Sequence, residues 1–414
     1  MPGVRTEAPK TSALGHPDMA WRPVLSAFCA SLIGIGLARF AYTPLLPAIV
    51  SAHWFDASTA AYLGAANLSG YLAGALLGRR LAVRWPVVTV LRAMMVLATV
   101  AFFACAEPVS FTWYFGWRFA AGLAGGALMV LAAPTVLAHV PVPRRGLAGG
   151  VIFMGVGAGV AASGTLVPLL LQGGVTQTWV GLGLLSALLT ALAWSGWPHE
   201  KTDASIPVID EQVATGRARS ITLRALYGEY ALNAAGWVPH MIFLVDYVAR
   251  GLHQGVEVGA EFWVLFGIGA TVGPVLAGHL ADRAGFGPAL RLSFFVEAVA
   301  VALPVFDLGR AGLIVSSVVV GAFVTGTVPL VLGRIGELLP HQPARQKAAW
   351  STATVAFAIA QAVAAYGMSF VFERSGGDYR MLFIVGACAI VTALALDLVV
   401  AVASFQPRRR RHQD

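Results

Sequence analysis

Apolar stretches long enough to cross a lipid bilayer follow one another along almost the whole chain. A transmembrane helix needs about 20 mostly apolar residues, so a dozen helices would use about 240 of the 414 residues. Only 12% of the residues are charged, whereas soluble domains have about 25%. The chain is therefore predicted to be an all-α polytopic membrane protein without a separate soluble domain.

Polar and turn-forming residues divide the apolar sequence into twelve predicted helices. Numbered helix 1 to helix 12, they are predicted over residues 23–50, 58–78, 87–106, 112–140, 147–171, 177–196, 221–247, 259–281, 288–306, 311–335, 348–372 and 380–403. An even number of spans places the two termini on the same side of the membrane.

Lys and Arg outside the predicted helices are concentrated in every second connecting segment and in the two terminal tails. The other connecting segments hold only Arg250, Arg310, Arg374 and Arg380. The positive-inside rule then predicts that both termini are cytoplasmic. The net charge of +8 is explained by membrane topology, without a nucleic-acid partner, and the expected location is a bacterial inner (plasma) membrane.

A polar segment halfway along the chain separates two halves of six predicted helices. The predicted divisions are a cytoplasmic tail 1–22, an N-terminal half 23–197, a cytoplasmic linker 198–220, a C-terminal half 221–403 and a basic cytoplasmic tail 404–414. GALMVLAAPTVL from Gly126 in helix 4 matches GAFVTGTVPLVL from Gly321 in helix 10, at an offset of 195 residues. GALLGRRLAVR from Gly74 matches GHLADRAGFGP from Gly278, at an offset of 204 residues. Two matches at similar offsets indicate duplicated halves.

Three short motifs resemble those of the major facilitator superfamily. GHLADRAG, residues 278–285, is similar to the loop signature G-x-L-a-D-r-x-G-r, although the first-half copy has Gly78 at the position of the aspartate. WRFAAGLAGG, residues 117–126, resembles the superfamily's helix-4 pattern. GIGLARFAYTPLLP, residues 34–47, resembles helix 1 of the bacterial YbfB/YjiJ-like branch.

The resemblance implies two pseudo-symmetric six-helix halves around a central cavity lined by helices 1, 4, 7 and 10. It also implies a monomeric secondary transporter that works by alternating access. An enzyme would need a catalytic motif, and the sequence contains no HExxH, no GxSxG and no paired intramembrane aspartate motif. We therefore expect no enzymatic activity, no cofactor and no metal site. The expected partners are a small-molecule substrate, protons and the lipid bilayer.

Arg39 in helix 1 and Arg118 in helix 4 lie within apolar segments. A charge at the centre of a membrane helix costs about 3 kcal/mol even on lenient scales, so both side chains are expected to face the protein interior. A guanidinium suits a carboxylate or phosphate, which favours an anionic solute, with Tyr42, Asn67 and Gln361 as further ligands. The alternative is a structural role, in which each arginine binds a carboxylate or backbone carbonyls.

Four polar or aromatic residues of helix 7 recur at a helical spacing of 4, 4 and 3: Glu229, Asn233, Trp237 and His240. Such spacing predicts one polar helix face. We expect Asn233, Trp237 and His240 to contact substrate, and Glu229 or His240 to carry a proton in a solute–proton symport. The alternatives are that Glu229 pairs with Arg224 and that His240 only packs.

The remaining acidic residues of the predicted helices have other expected roles. Glu297 and Asp397 lie on peripheral helices 9 and 12, where a hydrogen bond or ion pair within the C-terminal half is expected. Asp246 and Glu261 lie near the outer interface and are expected to be solvated or paired there.

The loop motif predicts a gate that changes between conformations. Gly278 permits close helix approach, while Asp282 and Arg283, with Arg79 in the other half, provide charges for contacts that break on opening.

A different substrate class is also compatible with the sequence. In proton-driven efflux of lipophilic cations or drugs, acidic residues would recognise the substrate and the arginines would be structural.

Overall fold

The computed structural model describes residues 21–55, 57–198 and 217–409. These residues form twelve long helical segments, α1 to α12, and no strand. Most of the predicted N-terminal tail, residues 199–216 of the predicted linker and the last five residues of the basic tail lie outside the described residues.

The twelve segments correspond one to one with the predicted helices. Their bounds are α1, Trp21–Ser31, Leu32–Leu37, Ala38–Phe40 and Tyr42–Ser51; α2, Ala57–Arg84; α3, Val87–Ala104; α4, Phe111–Leu137; α5, Arg145–Leu171; α6, Val175–Ala193; α7, Arg217–Gly236, Pro239–Phe243, Leu244–Asp246 and Tyr247–Gly251; α8, Val256–Ala284; α9, Phe286–Ala302; α10, Gly309–Leu338; α11, Pro343–Arg374; and α12, Tyr379–Arg409. Among the described segments, ten are long and apolar enough to cross a membrane. The other two, α2 and α7, are not among these ten.

Two helices at corresponding positions of the halves, α1 and α7, are interrupted by π-helical turns. In α1 the turn covers Leu32–Leu37, and in α7 such turns cover Pro239–Phe243 and Tyr247–Gly251. Proline has no N–H to donate to the preceding turn, so Pro239 explains one interruption. π-helical turns are frequent at functional sites, and broken helices at membrane depth are typical of transporter binding regions.

Glycines bring the same helix pairs together in both halves. Gly70 and Gly74 of α2 lie against α4, and Gly269 and Gly273 of α8 lie against α10. A Cβ atom at any of these positions would lie within 2.1 Å of a backbone oxygen of the neighbouring helix. The two glycine pairs are 199 residues apart, between the two offsets seen in the sequence. The halves are therefore duplicated in packing as well as in helix order.

The halves contact each other unequally along their two seams. On one seam, α5 and α8 pack backbone to backbone, with Gly146, Gly150 and Gly157 of α5 against α8. On the other, α2 and α11 make a less extensive contact, in which Ser351 Oγ donates to the Ala75 carbonyl at 3.4 Å.

We call the end of the molecule that carries the exposed side chains of Arg79, Arg144, Arg283 and Arg345 the basic face. A single apolar cluster from both halves fills the molecule between this face and its middle. Towards the opposite face the apolar side chains separate into one cluster within the N-terminal half and two within the C-terminal half. The halves are thus joined at the basic face and have separate cores at the opposite face.

Candidate functional site

Arg39 lies at the seam between the halves, two residues after the π-helical turn of α1. Its Nη2 donates to Gln361 Oε1 of α11 at 2.7 Å and lies 3.5 Å from Met241 Sδ of α7. Its Cζ is 5.3 Å from the ring centre of Phe40 and 5.8 Å from that of Tyr71. None of the ion pairs among the described residues involves Arg39. The structure therefore brings together two of the predicted site residues, Arg39 and Gln361.

The predicted residues Arg118, Asn67 and Tyr42 form a separate group inside the N-terminal half. Arg118 Nη1 donates to the Ala38 carbonyl at 2.9 Å, and Asn67 Nδ2 donates to the Arg118 carbonyl at 3.2 Å. The Arg118 guanidinium lies 4.3 Å from the ring centre of Tyr42, whose hydroxyl donates to the Ala60 carbonyl at 2.7 Å. Arg118 is only 2% exposed. Its contacts match the structural alternative, since they support the backbone of α1 where that helix is interrupted.

Asn233 belongs to a buried polar cluster within the C-terminal half. Its Nδ2 donates to Glu297 Oε2 of α9 at 2.5 Å, and its Oδ1 accepts from Thr327 Oγ1 of α10 at 3.3 Å. Both Asn233 and Glu297 are 0% exposed. The expectation that Glu297 would make a hydrogen bond within its half is confirmed, and so is the pairing of Asp397, which binds Arg291.

His240 is also enclosed in the C-terminal half. Its Nε2 lies 2.7 Å from Ser316 Oγ, which donates its own proton to the Ala300 carbonyl at 2.7 Å. In this arrangement Nε2 is the donor to Ser316. The ring meets Phe383 edge to face, with centres 5.2 Å apart. The structure therefore does not bring His240 together with Arg39.

Glu229 is 3% exposed and lies one turn before Asn233 on α7. It is within electrostatic range of Asp397, Arg334 and Arg291. The alternative pairing with Arg224 is not among the ion pairs of the described residues. Glu229 is thus a buried carboxyl beside the Arg291–Asp397 pair.

The two acidic residues expected near the outer interface are paired there. Asp246 binds Arg250 and accepts a hydrogen bond from the Tyr379 hydroxyl at 2.6 Å. Glu261 forms an ion pair with Arg310, with Arg310 Nη2 2.7 Å from Glu261 Oε2.

Aromatic side chains from three helices close the seam between Arg39 and the basic face. Tyr230 of α7 stacks on Trp350 of α11, with ring centres 6.1 Å apart, and Phe153 of α5 lies 6.3 Å from Trp350. Trp350 Nε1 donates across the seam to the Met129 carbonyl of α4 at 3.0 Å. The predicted residue Trp237 faces α11, 6.1 Å from Phe357.

Sequence reasoning did not select Met241 or Trp350. Aromatic residues and methionine in an apolar helix resemble ordinary packing residues, so only the tertiary structure distinguishes those at the seam.

The predicted gate residues divide into two groups. Asp282 of α8 accepts hydrogen bonds from the backbone N–H groups of Gly146 and Leu147, both at 2.8 Å, and so caps the N-terminus of α5 in the other half. A Cβ on Gly278 would lie 2.1 Å from the Gly146 carbonyl oxygen. The two arginines, Arg283 and Arg79, are exposed and take no part in this contact.

Two duplicated six-helix halves with a charged side chain at the seam define the class of protein. This is a multi-pass membrane transporter of the major facilitator superfamily, not an enzyme. The chain belongs to the MFS_4 family, described as "Uncharacterised MFS-type transporter YbfB", whose profile matches residues 31–398.

Solved transporters share this fold at low sequence identity. The chain is similar to a bacterial homologue of the iron transporter ferroportin in an outward-facing state, with a TM-score of 0.69, 15% identity, and coverage of 93% of this chain and 100% of that chain. It is also similar to the Escherichia coli fucose:proton symporter FucP, with a TM-score of 0.65, 15% identity, and coverage of 92% of this chain and 99% of that chain. A double tryptophan mutant of XylE matches with a TM-score of 0.71, 15% identity, and coverage of 92% of this chain and 98% of that chain. At these identities the likeness concerns the fold alone.

One protein from Streptomyces lividans is related over nearly the full chain. It is a chloramphenicol resistance protein, 26% identical over 415 residues, with coverage of 92% of this chain and 97% of that protein.

Proposed function

We propose that the protein is a secondary active transporter of a small organic solute with an anionic group, which binds at Arg39. The observation that carries the proposal is the guanidinium at the seam, whose polar contacts are an amide and a thioether. A membrane-embedded charge without an opposite charge is costly, and an anionic substrate would supply one. Because Arg39 belongs to the N-terminal half and Gln361 to the C-terminal half, a ligand here would contact both moving parts.

In the proposed topology, both termini and the basic face are cytoplasmic, since that face carries most of the basic residues between helices. The protein acts as a monomer in a bacterial plasma membrane. Alternating access then requires the aromatic contacts around Trp350 to break when the site opens to the cytoplasm.

Ligand-induced thermal stabilisation tests the substrate class, because a ligand stabilises only the state that binds it. The purified protein is screened against organic carboxylates, amino acids, sugars and lipophilic cations. Hydrogen bonds to charged groups contribute about 1.5–3 kcal/mol, so Arg39→Gln is expected to weaken carboxylate binding by about 10- to 150-fold. Arg310→Gln, at the opposite face, is the control for removal of one positive charge and should bind like the wild type. Carboxylate binding that survives Arg39→Gln would contradict the proposal.

Proton coupling through Glu229 is the second part of the proposal. Glu229 is a buried carboxyl on an interrupted helix, beside an ion pair that could respond to its charge. The other predicted carrier, His240, is engaged with Ser316, so we place the proton on Glu229. In proteoliposomes, a pH gradient should drive wild-type transport, and Glu229→Gln should remove that stimulation while ligand binding persists.

The matched control for Glu229→Gln is Glu297→Gln. An amide at position 297 can still accept the hydrogen bond from Asn233, so gradient-driven transport should continue. Wild-type transport that is unchanged when the gradient collapses would rule out proton coupling.

Drug efflux is the second candidate function, favoured by the relative named as a chloramphenicol resistance protein. In this case Arg39 is a gating residue that links α1 to α11. Cells that overproduce the protein would then tolerate higher concentrations of chloramphenicol or lipophilic cations. Such resistance, together with stabilisation by these compounds in Arg39→Gln, would establish efflux in place of anion transport.

A further inference from the structure

A groove runs between α3 and α6 on the outside of the N-terminal half, away from the seam. Its volume is about 500 Å³. The residues that line it are Val96, Thr99, Ala187, Thr190, Ala191 and Trp194. Two of the lining residues on α6, Ala187 and Ala191, have small side chains.

The groove presents an apolar surface although two of its lining residues are threonines. Thr99 Oγ1 donates to the Met95 carbonyl at 2.9 Å, lies 2.7 Å from Ser186 Oγ and 3.3 Å from Thr190 Oγ1. The hydroxyl groups therefore satisfy one another within the wall. Hydrocarbon is the medium that surrounds a membrane-spanning helix at this depth, so an acyl chain fits the groove chemically.

Arg92 lies one turn before Val96 on α3, at the end of the groove nearest the basic face. Its Nε and Nη2 donate to the Trp194 carbonyl at 3.0 and 2.6 Å, and its Cζ is 5.0 Å from the Trp194 ring centre. These contacts hold the guanidinium against the end of α6. No ion pair among the described residues includes Arg92.

The C-terminal half provides an internal comparison. Arg291 lies 199 residues after Arg92, the same separation as that of the packing glycines, and occupies the matching helix, α9. Arg291 forms an ion pair with Asp397 of α12, whereas Arg92 binds a neutral carbonyl of the segment after α6. The positive charge is therefore paired with a carboxylate in one half and bound to a neutral group in the other.

We propose that this groove binds an anionic phospholipid, with one acyl chain between α3 and α6 and the phosphate at Arg92. Basic residues near the membrane surface attract anionic lipid headgroups, and the arginine stem can extend along apolar surface while its charge reaches the headgroup region. The lipid belongs to the leaflet at the basic face. Neither the groove nor Arg92 belongs to the seam, so the site is independent of the transported solute.

Native mass spectrometry of the purified transporter tests the site by titration with phosphatidylglycerol and phosphatidylcholine of equal chain length. We expect wild type to prefer phosphatidylglycerol and Arg92→Gln to bind it about five-fold more weakly, which corresponds to one basic residue near a lipid surface. Ala191→Phe, which fills the groove, should weaken both lipids. Arg92→Lys should keep most of the preference because it keeps the charge.

Two matched controls separate the groove from general effects. Arg144→Gln removes one exposed charge of the basic face, and Leu188→Phe adds volume to α6 outside the groove; both should bind phosphatidylglycerol like the wild type. Glycerol phosphate, which has no acyl chain, should not compete at equal concentration. Equal binding of the two lipids by the wild type, unchanged phosphatidylglycerol binding by Arg92→Gln, or competition by glycerol phosphate would each overturn the proposal.

Discussion

At the scale of single residues, two intramembrane arginines of the same half have different surroundings. Arg118 is enclosed by its own half and binds the Ala38 carbonyl, whereas Arg39 reaches across the seam to Gln361. The sequence predicts that both face inward, because a guanidinium in lipid is costly. Whether an arginine faces its own half or the seam depends on how its helix packs against the neighbouring helices. The residue type alone does not determine this.

We predict that Arg118→Met lowers the thermal unfolding midpoint more than Arg39→Gln does. Arg118→Met removes the hydrogen bond from the guanidinium to the Ala38 carbonyl and its contact with the Tyr42 ring, and hydrogen bonds to charged groups contribute about 1.5–3 kcal/mol. Unfolding followed by tryptophan fluorescence in detergent measures the difference. If Arg118→Met were as stable as the wild type but had lost ligand binding, Arg118 would be a substrate ligand.

The residues of the predicted polar face of helix 7 contact different helices of the C-terminal half. Asn233 binds Glu297 of α9 and His240 binds Ser316 of α10, whereas Trp237 packs against Phe357 of α11. The 4, 4 and 3 spacing assumes a regular α-helix, but the α-helical segment of α7 ends at Gly236 and a π-helical turn begins at Pro239. Trp237 and His240 lie beyond the regular segment, where α-helical spacing no longer gives the direction of a side chain.

At the scale of helices, the α5–α8 contact depends on the absence of side chains. A Cβ on Gly157 would lie 1.9 Å from the Ala270 carbonyl oxygen. We expect Gly157→Ala to force the helices apart and to destabilise the protein by about 1–3 kcal/mol, as overpacking does in other cores. The thermal unfolding midpoint and transport rate would both fall.

The matched control for Gly157→Ala is Gly164→Ala on the same helix. Its Cβ would lie 3.1 Å from Val264 Cγ2, a side-chain atom that can move aside. The control should therefore unfold close to the wild-type temperature. Equal effects of the two alanine substitutions would show that backbone contact at Gly157 is not what holds α5 against α8.

At the scale of the whole molecule, Asp282 connects the two halves at the basic face. Its carboxylate caps α5, and an acidic group at a helix N-terminus contributes about 0.3–1 kcal/mol, and up to about 2 kcal/mol in partly buried sites. Asp282→Asn should therefore shift the conformational equilibrium towards opening at the basic face by about two- to thirty-fold. Arg283→Gln, which removes an exposed charge from the same loop, should leave that equilibrium unchanged.

Distances between spin labels measure this shift. Labels at the exposed positions His139 and His341, in the loops of the two halves at the basic face, should report a larger population of long distances in Asp282→Asn. An unchanged distance distribution would mean that the cap does not hold the halves together.

The sequence alone was sufficient for the membrane class, the all-helical fold and the superfamily. Each of these follows from signals that are local or periodic: apolar length, the distribution of Lys and Arg, and short motifs such as residues 278–285. The long apolar helices are required by the bilayer itself, because a spanning segment in hydrocarbon must satisfy its own backbone hydrogen bonds.

Only the tertiary structure decided which polar side chains make contacts across the seam and which make them inside one half. Gln361 lies 322 positions after Arg39 and accepts its hydrogen bond across the seam, while Arg118, Asn233 and His240 make their hydrogen bonds within their own halves. These outcomes depend on the rotation of each helix about its axis and on the π-helical interruptions of α1 and α7. The rotation of a helix is set by close packing against several neighbouring helices at once. It therefore cannot be predicted from the sequence of that helix alone.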